Sequence, residues 1–327
     1  MKNPVKGSLA PMKRREFITL IAGAAASPLG AHAQQRAGRR HRVAQLGPIP
    51  PSFFDELDRV GFVKGSNLEI DSRGESAAAV SYVSMAVELA KASPDVLVVV
   101  GAEAGRAAQK ATQRIPIVVI ADDLVGSELV ASMPRPEGNT TGVAIFAFQL
   151  DAKRLELLHE ALPGTRRIAA LADRVPIPNM DALKSAAKRL GVEIVPFAAR
   201  SEEDLIRVID AMKIEEVEAV NLLASPILAS KFQHLIRDRL ALRRLPAILQ
   251  WPEQAEEGGL MAYGPRLSAV FEQCARQVAR LLRGAHIADV PVEQPTKFEL
   301  VINLKTAKML GLEIPPILLS RADSTIE

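Results

Sequence analysis

A chain of 327 residues that is 48% apolar and 24% charged holds enough material to bury the cores of about two ordinary domains. Its formal charge of +3 does not mark a nucleic-acid surface: five basic groups and one acidic group lie in the first 33 residues, and the remainder carries 36 basic against 37 acidic groups, a net −1. The only cysteine, Cys274, excludes an internal disulfide, and its apolar helical neighbours Val270 and Val278 predict a core position.

The N-terminal residues read as a targeting segment. Lys13-Arg14-Arg15 precede the apolar run 18–29, and Ala31-His32-Ala33 supplies small residues at the positions a signal peptidase reads, so cleavage is expected between Ala33 and Gln34. The run is too short to span a bilayer. Arg14-Arg15-Glu16-Phe17-Ile18 resembles the twin-arginine export signal, although it lacks the preceding Ser/Thr and the following Lys. Residues 34–41, with Arg36, Arg39 and Arg40, read as a solvated linker.

From residue 42 short apolar strands alternate with amphipathic helices. Strands are predicted at 43–46, 68–70, 96–100 and 117–120, with helices at 53–60, 77–92 and 105–112, a βαβα rhythm that implies a parallel sheet covered on both faces. The β-branched run 117–120 ends in Ala121-Asp122-Asp123. A short helix is expected at 126–133, then Pro134, Pro136 and Gly138 break the chain before a strand at 141–145. The rhythm restarts with helix 152–162, strand 168–172, helix 180–190 stopped by Gly191, strand 192–197, helix 205–212 opened by Ser201, strand 219–223, helix 228–242 and strand 247–249. After Gly258-Gly259 the order changes to a short strand at 260–263, a long helix at 267–283, a strand at 298–302 and a helix capped by Asn303 and stopped by Gly311. A region that follows two α/β units without starting a third is best explained by elements crossing between them.

Several runs then carry a family resemblance: the leader 13–18, the processing site Ala31-His32-Ala33-Gln34-Gln35, the segments 135–143, 153–158 and 258–264, and above all Gln294-Pro295-Thr296-Lys297-Phe298-Glu299-Leu300-Val301-Ile302-Asn303-Leu304-Lys305-Thr306-Ala307. In these the chain resembles, over essentially its whole length, the ABC-transporter substrate-binding proteins of the tryptophan/tyrosine-binding type. The resemblance implies a type I periplasmic-binding clamshell: two Rossmann-like lobes with parallel sheets, joined by three hinge crossings. Residues 42–150 with 266–289 would form lobe 1, and residues 151–265 with 290–327 lobe 2. It implies a periplasmic monomer that captures a small solute between the lobes and delivers it to an inner-membrane permease, with no cofactor, no metal and no chemistry. Two segments depart from the family. The polar turn after its first strand is here Pro48-Ile49-Pro50-Pro51, and the Asn/Pro-rich turn of its second lobe is Asp173-Arg174-Val175-Pro176-Ile177-Pro178-Asn179, so aromatic amino-acid specificity is not implied.

In open α/β sheets ligands bind beyond the carboxyl ends of strands, which selects the candidate contacts. Pro48 and Ile49 follow the first strand. Gly101, Ala102 and Glu103 open a helix whose amides suit a carboxylate, although Glu103 would instead favour a cation. Asp122 and Asp123 end the fourth strand, and Asp123 is read either as an acceptor for a ligand ammonium or hydroxyl or as a helix N-cap. In the second lobe Arg174 is read as a carboxylate clamp or a solvated arginine. Asn179, Asn221, Ser225 and Gln250 are polar groups at strand ends, and Trp251 either stacks on an apolar ligand or packs at the rim. The five histidines form no metal or triad motif, and no Gly-x-Ser-x-Gly or phosphate loop supports an enzyme. A sensor presenting the same clamshell to a signalling partner is the alternative function.

Overall fold

The structure is a computed structural model that describes residues 39–73, 82–175, 177–212, 216–229 and 231–327. The expected leader, with Ala33 and Gln34, lies outside the described residues, as do Pro176 and the expected start of the helix at 77–92.

The first sheet is built from β1 (His41–Leu46), β2 (Leu68–Arg73), β3 (Val96–Val100), β4 (Ile117–Ala121) and β5 (Thr140–Ala144), in the order β2-β1-β3-β4-β5 and parallel throughout. Its continuous apolar runs follow from burial on both faces. Val96, Val98, Val118 and Ile120 pack with Phe53 and Leu57 of α1 (Pro51–Arg59) and with Phe271, Cys274 and Val278 of α10 (Leu267–Leu282). The alternate residues Leu97, Val99, Ile117 and Val119 pack with Ala86 and Leu89 of α2 (Tyr82–Lys91) and Ala104 and Ala108 of α3 (Ala102–Ala111). This period of two is what a strand between two helical layers requires.

The second sheet contains β6 (Arg167–Ala172), β7 (Glu193–Ala198), β8 (Ala219–Leu222), β9 (Ala247–Leu249), β10 (Met261–Gly264), β11 (Glu299–Asn303) and β12 (Ser324–Ile326), in the order β12-β11-β10-β9-β8-β6-β7. It is parallel except where β10 meets β11. One face is covered by α4 (Asp151–Ala161), α5 (Met180–Leu190) and residues from α11 (Leu304–Leu310) and α12 (Pro316–Leu319), and the other by α6 (Glu202–Ala211) and α8 (Gln233–Leu242). Ser201 accepts a hydrogen bond from the Asp204 amide and Asn303 one from the Thr306 amide, as their positions at helix starts predict. The chain passes between the sheets between β5 and α4, between β10 and α10, and between α10 and β11. On the last passage Glu293 exchanges backbone hydrogen bonds with Gly142 and Ala144 beside β5.

Two expectations are corrected, and some short elements were not expected. Residues 126–133 form turns rather than a helix, because Asp123 accepts from the Gly126 amide at 2.8 Å, Glu128 takes a left-handed φ of 58°, and the Leu124 carbonyl receives both Leu129 and Val130. The expected helix 228–242 is two, α7 (Pro226–Ala229) and α8. The short α9 (Pro252–Glu256) and β12 have no counterpart in the sequence reading.

Candidate functional site

In the first sheet β1, β3 and β4 end nearly level, with Leu46 opposite Val99 and Val100 opposite Ile120. The turns that follow hold the candidates. Pro48 is exposed, and Ile49 is half-buried against the α1–α10 core. Gly101 takes φ 96°, a value that favours glycine, and a Cβ there would meet nothing within 4 Å, so the start of α3 opens onto free space. Ala102 is half-buried, while Glu103 is exposed in the first helical turn. The Tyr82 hydroxyl has its pKa raised, first by burial and then by the charge of Glu103. A carboxylate already standing at the positive helix end disfavours a second anion there and favours a cation.

Asp122 and Asp123 separate in role. Asp123 closes the turn after β4 through Gly126, which makes it a cap for a turn rather than for the expected helix. Asp122 is turned toward the first passage between the sheets: its carboxylate accepts from the Ala147 and Phe148 amides and its carbonyl from the Phe146 amide. Burial pushes its carboxyl up to about 6, against the lowering effect of those two amides.

The second sheet gathers its strand ends into one buried network. Asp173, directly after β6, is 8% exposed and accepts a 2.8 Å hydrogen bond from the Ser225 hydroxyl, while Ser225 accepts from the Leu228 amide at 3.1 Å. The Ser225 amide donates to the Gln250 side-chain carbonyl, and the Gln250 side-chain amide donates to the Leu223 carbonyl at 2.6 Å. Arg200 donates to the Asp173 carbonyl at 2.7 Å. Arg174 is exposed, with its Nε 3.8 Å from Asp173. Asn179, also exposed, begins α5 in a left-handed conformation and donates to the Phe148 carbonyl at 3.2 Å. Trp251 is 6% exposed and leads into α9, its amide bound by Gln254, so it packs in the rim. Asp173 and Arg200 were missed among the sequence candidates. An acidic residue directly after a predicted strand was the available signal for Asp173, and none existed for Arg200.

Beneath both sets lies a buried charge cluster. Arg154, fully buried, pairs with Asp151 and donates to the Ala147 carbonyl at 2.8 Å and the Tyr263 carbonyl at 3.1 Å, linking the first passage between the sheets to the end of β10. Asn221 is fully covered and donates to the Asp151 carbonyl at 3.0 Å, and the Asp151 carboxylate accepts from the Ala224 amide. Burial raises the Asp151 pKa against the lowering effect of Arg154. Asn221 thus braces the passage rather than facing outward.

Apolar groups stand exposed near the same strand ends: Val125 after β4, Val175 after β6 and Ile227 in α7 after β8. Among the described residues no group of three or more His, Cys, Asp or Glu side chains is placed to hold a metal ion. Cys274 is buried, and burial pushes its thiol pKa well up. Among the described residues no helix is long and apolar enough to cross a membrane.

Comparison with known proteins agrees with this architecture. A conserved domain protein of Vibrio cholerae superimposes with a TM-score of 0.78 at 26% identity, covering 88% of this chain and 99% of its own. A Streptococcus pneumonia ABC domain solved in complex with L-Trp gives a TM-score of 0.77 at 22% identity, over 88% and 100%. In sequence, a tyrosine-binding protein of Clostridioides difficile is 22% identical over 272 residues, 82% of this chain and 78% of the relative. The family model described as ABC transporter substrate binding protein matches residues 50–326, and the chain belongs to that family.

Proposed function

We propose that this protein is the periplasmic solute receptor of an ABC importer, capturing a small amino-acid-like solute or organic acid between its two lobes and delivering it to a membrane permease. Members of the family are extracytoplasmic binding proteins that serve ABC permeases, and of the relatives named above the Clostridioides difficile protein is a tyrosine-binding protein and the Streptococcus pneumonia domain is complexed with L-Trp. The observation that carries the reading is the pairing of directional polar groups with exposed apolar ones at the strand ends. Asp173 and Arg174 stand beside Val175, and Asp123 stands beside Val125. A few fixed polar contacts around an apolar wall suit a small solute with an apolar body.

In this reading the turns holding Pro48, Ile49, Gly101, Ala102 and Glu103 form one wall and those holding Arg174, Asn179 and Ser225 the other. Gln250, Asn221 and Trp251 support the second wall from beneath. The twin-arginine-like leader exports the chain and is cleaved after Ala33. N-terminal sequencing of protein from the periplasmic fraction should begin at Gln34, and a product still carrying Phe17 would refute export with cleavage.

A thermal-shift screen of amino acids, small carboxylates and sugars tests the solute class. A true ligand at one hundred times its dissociation constant adds about 2.7 kcal/mol of stability. A screen in which sugars stabilise and amino acids and acids do not would overturn the proposed class.

A further inference from the structure

We infer that Asp122 is a proton-controlled latch on the first passage between the sheets, holding the bend of that passage while its carboxyl carries a proton and releasing it when the proton leaves. The passage turns at residues 146–150, where Phe146 takes a left-handed φ of 51° that a non-glycine residue keeps only while its surroundings enforce it. Asp122 enforces it from the end of β4. Its carbonyl accepts from the Phe146 amide and its carboxyl oxygens from the Ala147 and Phe148 amides, so one residue holds three successive N–H groups. The carbonyl side of the same turn is held from the second sheet's helices. Arg154 of α4 donates to the Ala147 carbonyl, and Asn179 at the start of α5 donates to the Phe148 carbonyl. The turn is thus clasped from both sheets, and bending of the passage has to work against the grip of Asp122.

That grip is compensated only in part when the carboxyl is charged. Residues 145–150 contribute no charged side chain, and among the described residues the charged groups that act on Asp122 both come from α4. Asp151 repels it, and Arg154 is committed to Asp151 and to two backbone carbonyls. Asp123, next in the chain, is turned to the Gly126 amide. Two carboxylates therefore share one guanidinium, and the Phe148 amide reaches Asp122 only at 3.5 Å, beyond the usual length of a hydrogen bond. A carboxylate so placed gains by moving out to water, whereas a protonated carboxyl keeps an acceptor oxygen for the Ala147 amide and stays at little cost. The acidity agrees in sign, burial raising this carboxyl to about 6. The latched state thus binds the proton more tightly than a released state with an ordinary carboxyl near 3.8, so acid secures the latch and rising pH frees it. The passage bends more readily at neutral pH than in acid.

Two measurements on the ligand-free protein test the inference. Pulsed dipolar spectroscopy between spin labels at Lys110→Cys of α3 and Lys184→Cys of α5, both exposed positions, reads the bend, and the buried Cys274 takes no label. The distance distribution should be wider at pH 7.5 than at pH 5, and narrow at both pH values when Asp122→Asn, an uncharged side chain of the same shape, is added. Hydrogen exchange of the Ala147 and Phe148 amides, corrected for the intrinsic effect of pH, should report about 10-fold more opening at pH 7.5 than at pH 5 in the wild type and a difference below about 2-fold in Asp122→Asn. A wild type in which either measurement is unchanged with pH would overturn the latch, as would a pH response that Asp122→Asn retains. Exchange of these two amides only together with those of β3 would also overturn it, because the turn would then open only when the whole fold does. The wild-type comparison decides even if the variant fails to fold.

Discussion

Arg154 is the residue whose burial has the clearest energetic meaning. A fully covered guanidinium is tolerated only because Asp151 neutralises it and two carbonyls, one in the first passage and one in β10, accept its protons. Arg154→Met removes that partner and leaves Asp151 buried with its charge. Denaturant unfolding should record a loss of about 3 to 5 kcal/mol, and adding Asp151→Asn should recover a substantial part of it. A loss below about 1 kcal/mol would mean that water reaches the cluster. Asp122 makes a different prediction. Its carboxyl is raised to about 6 in the folded chain from an ordinary value near 3.8, so between those pH values the folded state holds more proton than the unfolded state. Stability from this group is therefore present at low pH and lost as pH rises through about 4 to 6. Relative to wild type, Asp122→Asn should gain up to about 3 kcal/mol on going from pH 4 to pH 7, read by urea unfolding at several pH values. A difference that stays flat with pH would show that Asp122 keeps its ordinary acidity in the fold.

At the scale of elements, the strands at 96–100 and 117–120 were legible because both their faces are buried, which writes an uninterrupted apolar run into the sequence. β12 was illegible for the opposite reason. Its three residues Ser324, Thr325 and Ile326 form a sheet edge and are none of them fully buried, so no hydrophobic pattern marks them. The turn at 122–133 misled because the stretch 126–133 has the length of a short helix, while Asp123 and the Leu124 carbonyl close the backbone locally. The candidate site was legible to the level of which strand ends matter and no further. Asn221, Ser225 and Gln250 were named from their position, but whether such a side chain faces a ligand or a neighbouring backbone depends on contacts between elements tens of residues apart. β5 offers a test of how tightly the first sheet is packed. Gly142 takes φ 153°, and a Cβ at this position would stand on the Val119 backbone. Gly142→Ala should cost about 3 kcal/mol or more, because a strand backbone cannot yield as a flexible side chain can. A melting temperature within a degree or two of wild type would show that β4 and β5 have room to separate.

For the whole molecule, the passages between the sheets set what can move. Three connections, the first of them tied by Arg154 to the end of β10, allow a bending between the sheets while leaving each sheet intact. We expect the two lobes, residues 42–150 with 266–289 and residues 151–265 with 290–327, to close on a bound solute. Small-angle scattering should then give a smaller radius of gyration at saturation with a ligand found by the screen. An unchanged radius would limit the response to side chains and turns.

The position of α10 also separates the order of synthesis from the order of folding. Its residues Phe271, Cys274 and Val278 complete the core around Phe53 and Leu57, so the first lobe stays open on one face until the ribosome has passed residue 282. By then every strand of the second sheet except β11 and β12 has been made, and those two arrive last of all. Neither lobe can finish early and wait for the other. A chain cut after Gly264 loses α10 from one half and two strands with α11 and α12 from the other, so the expected result is collapse of both rather than survival of a single folded lobe.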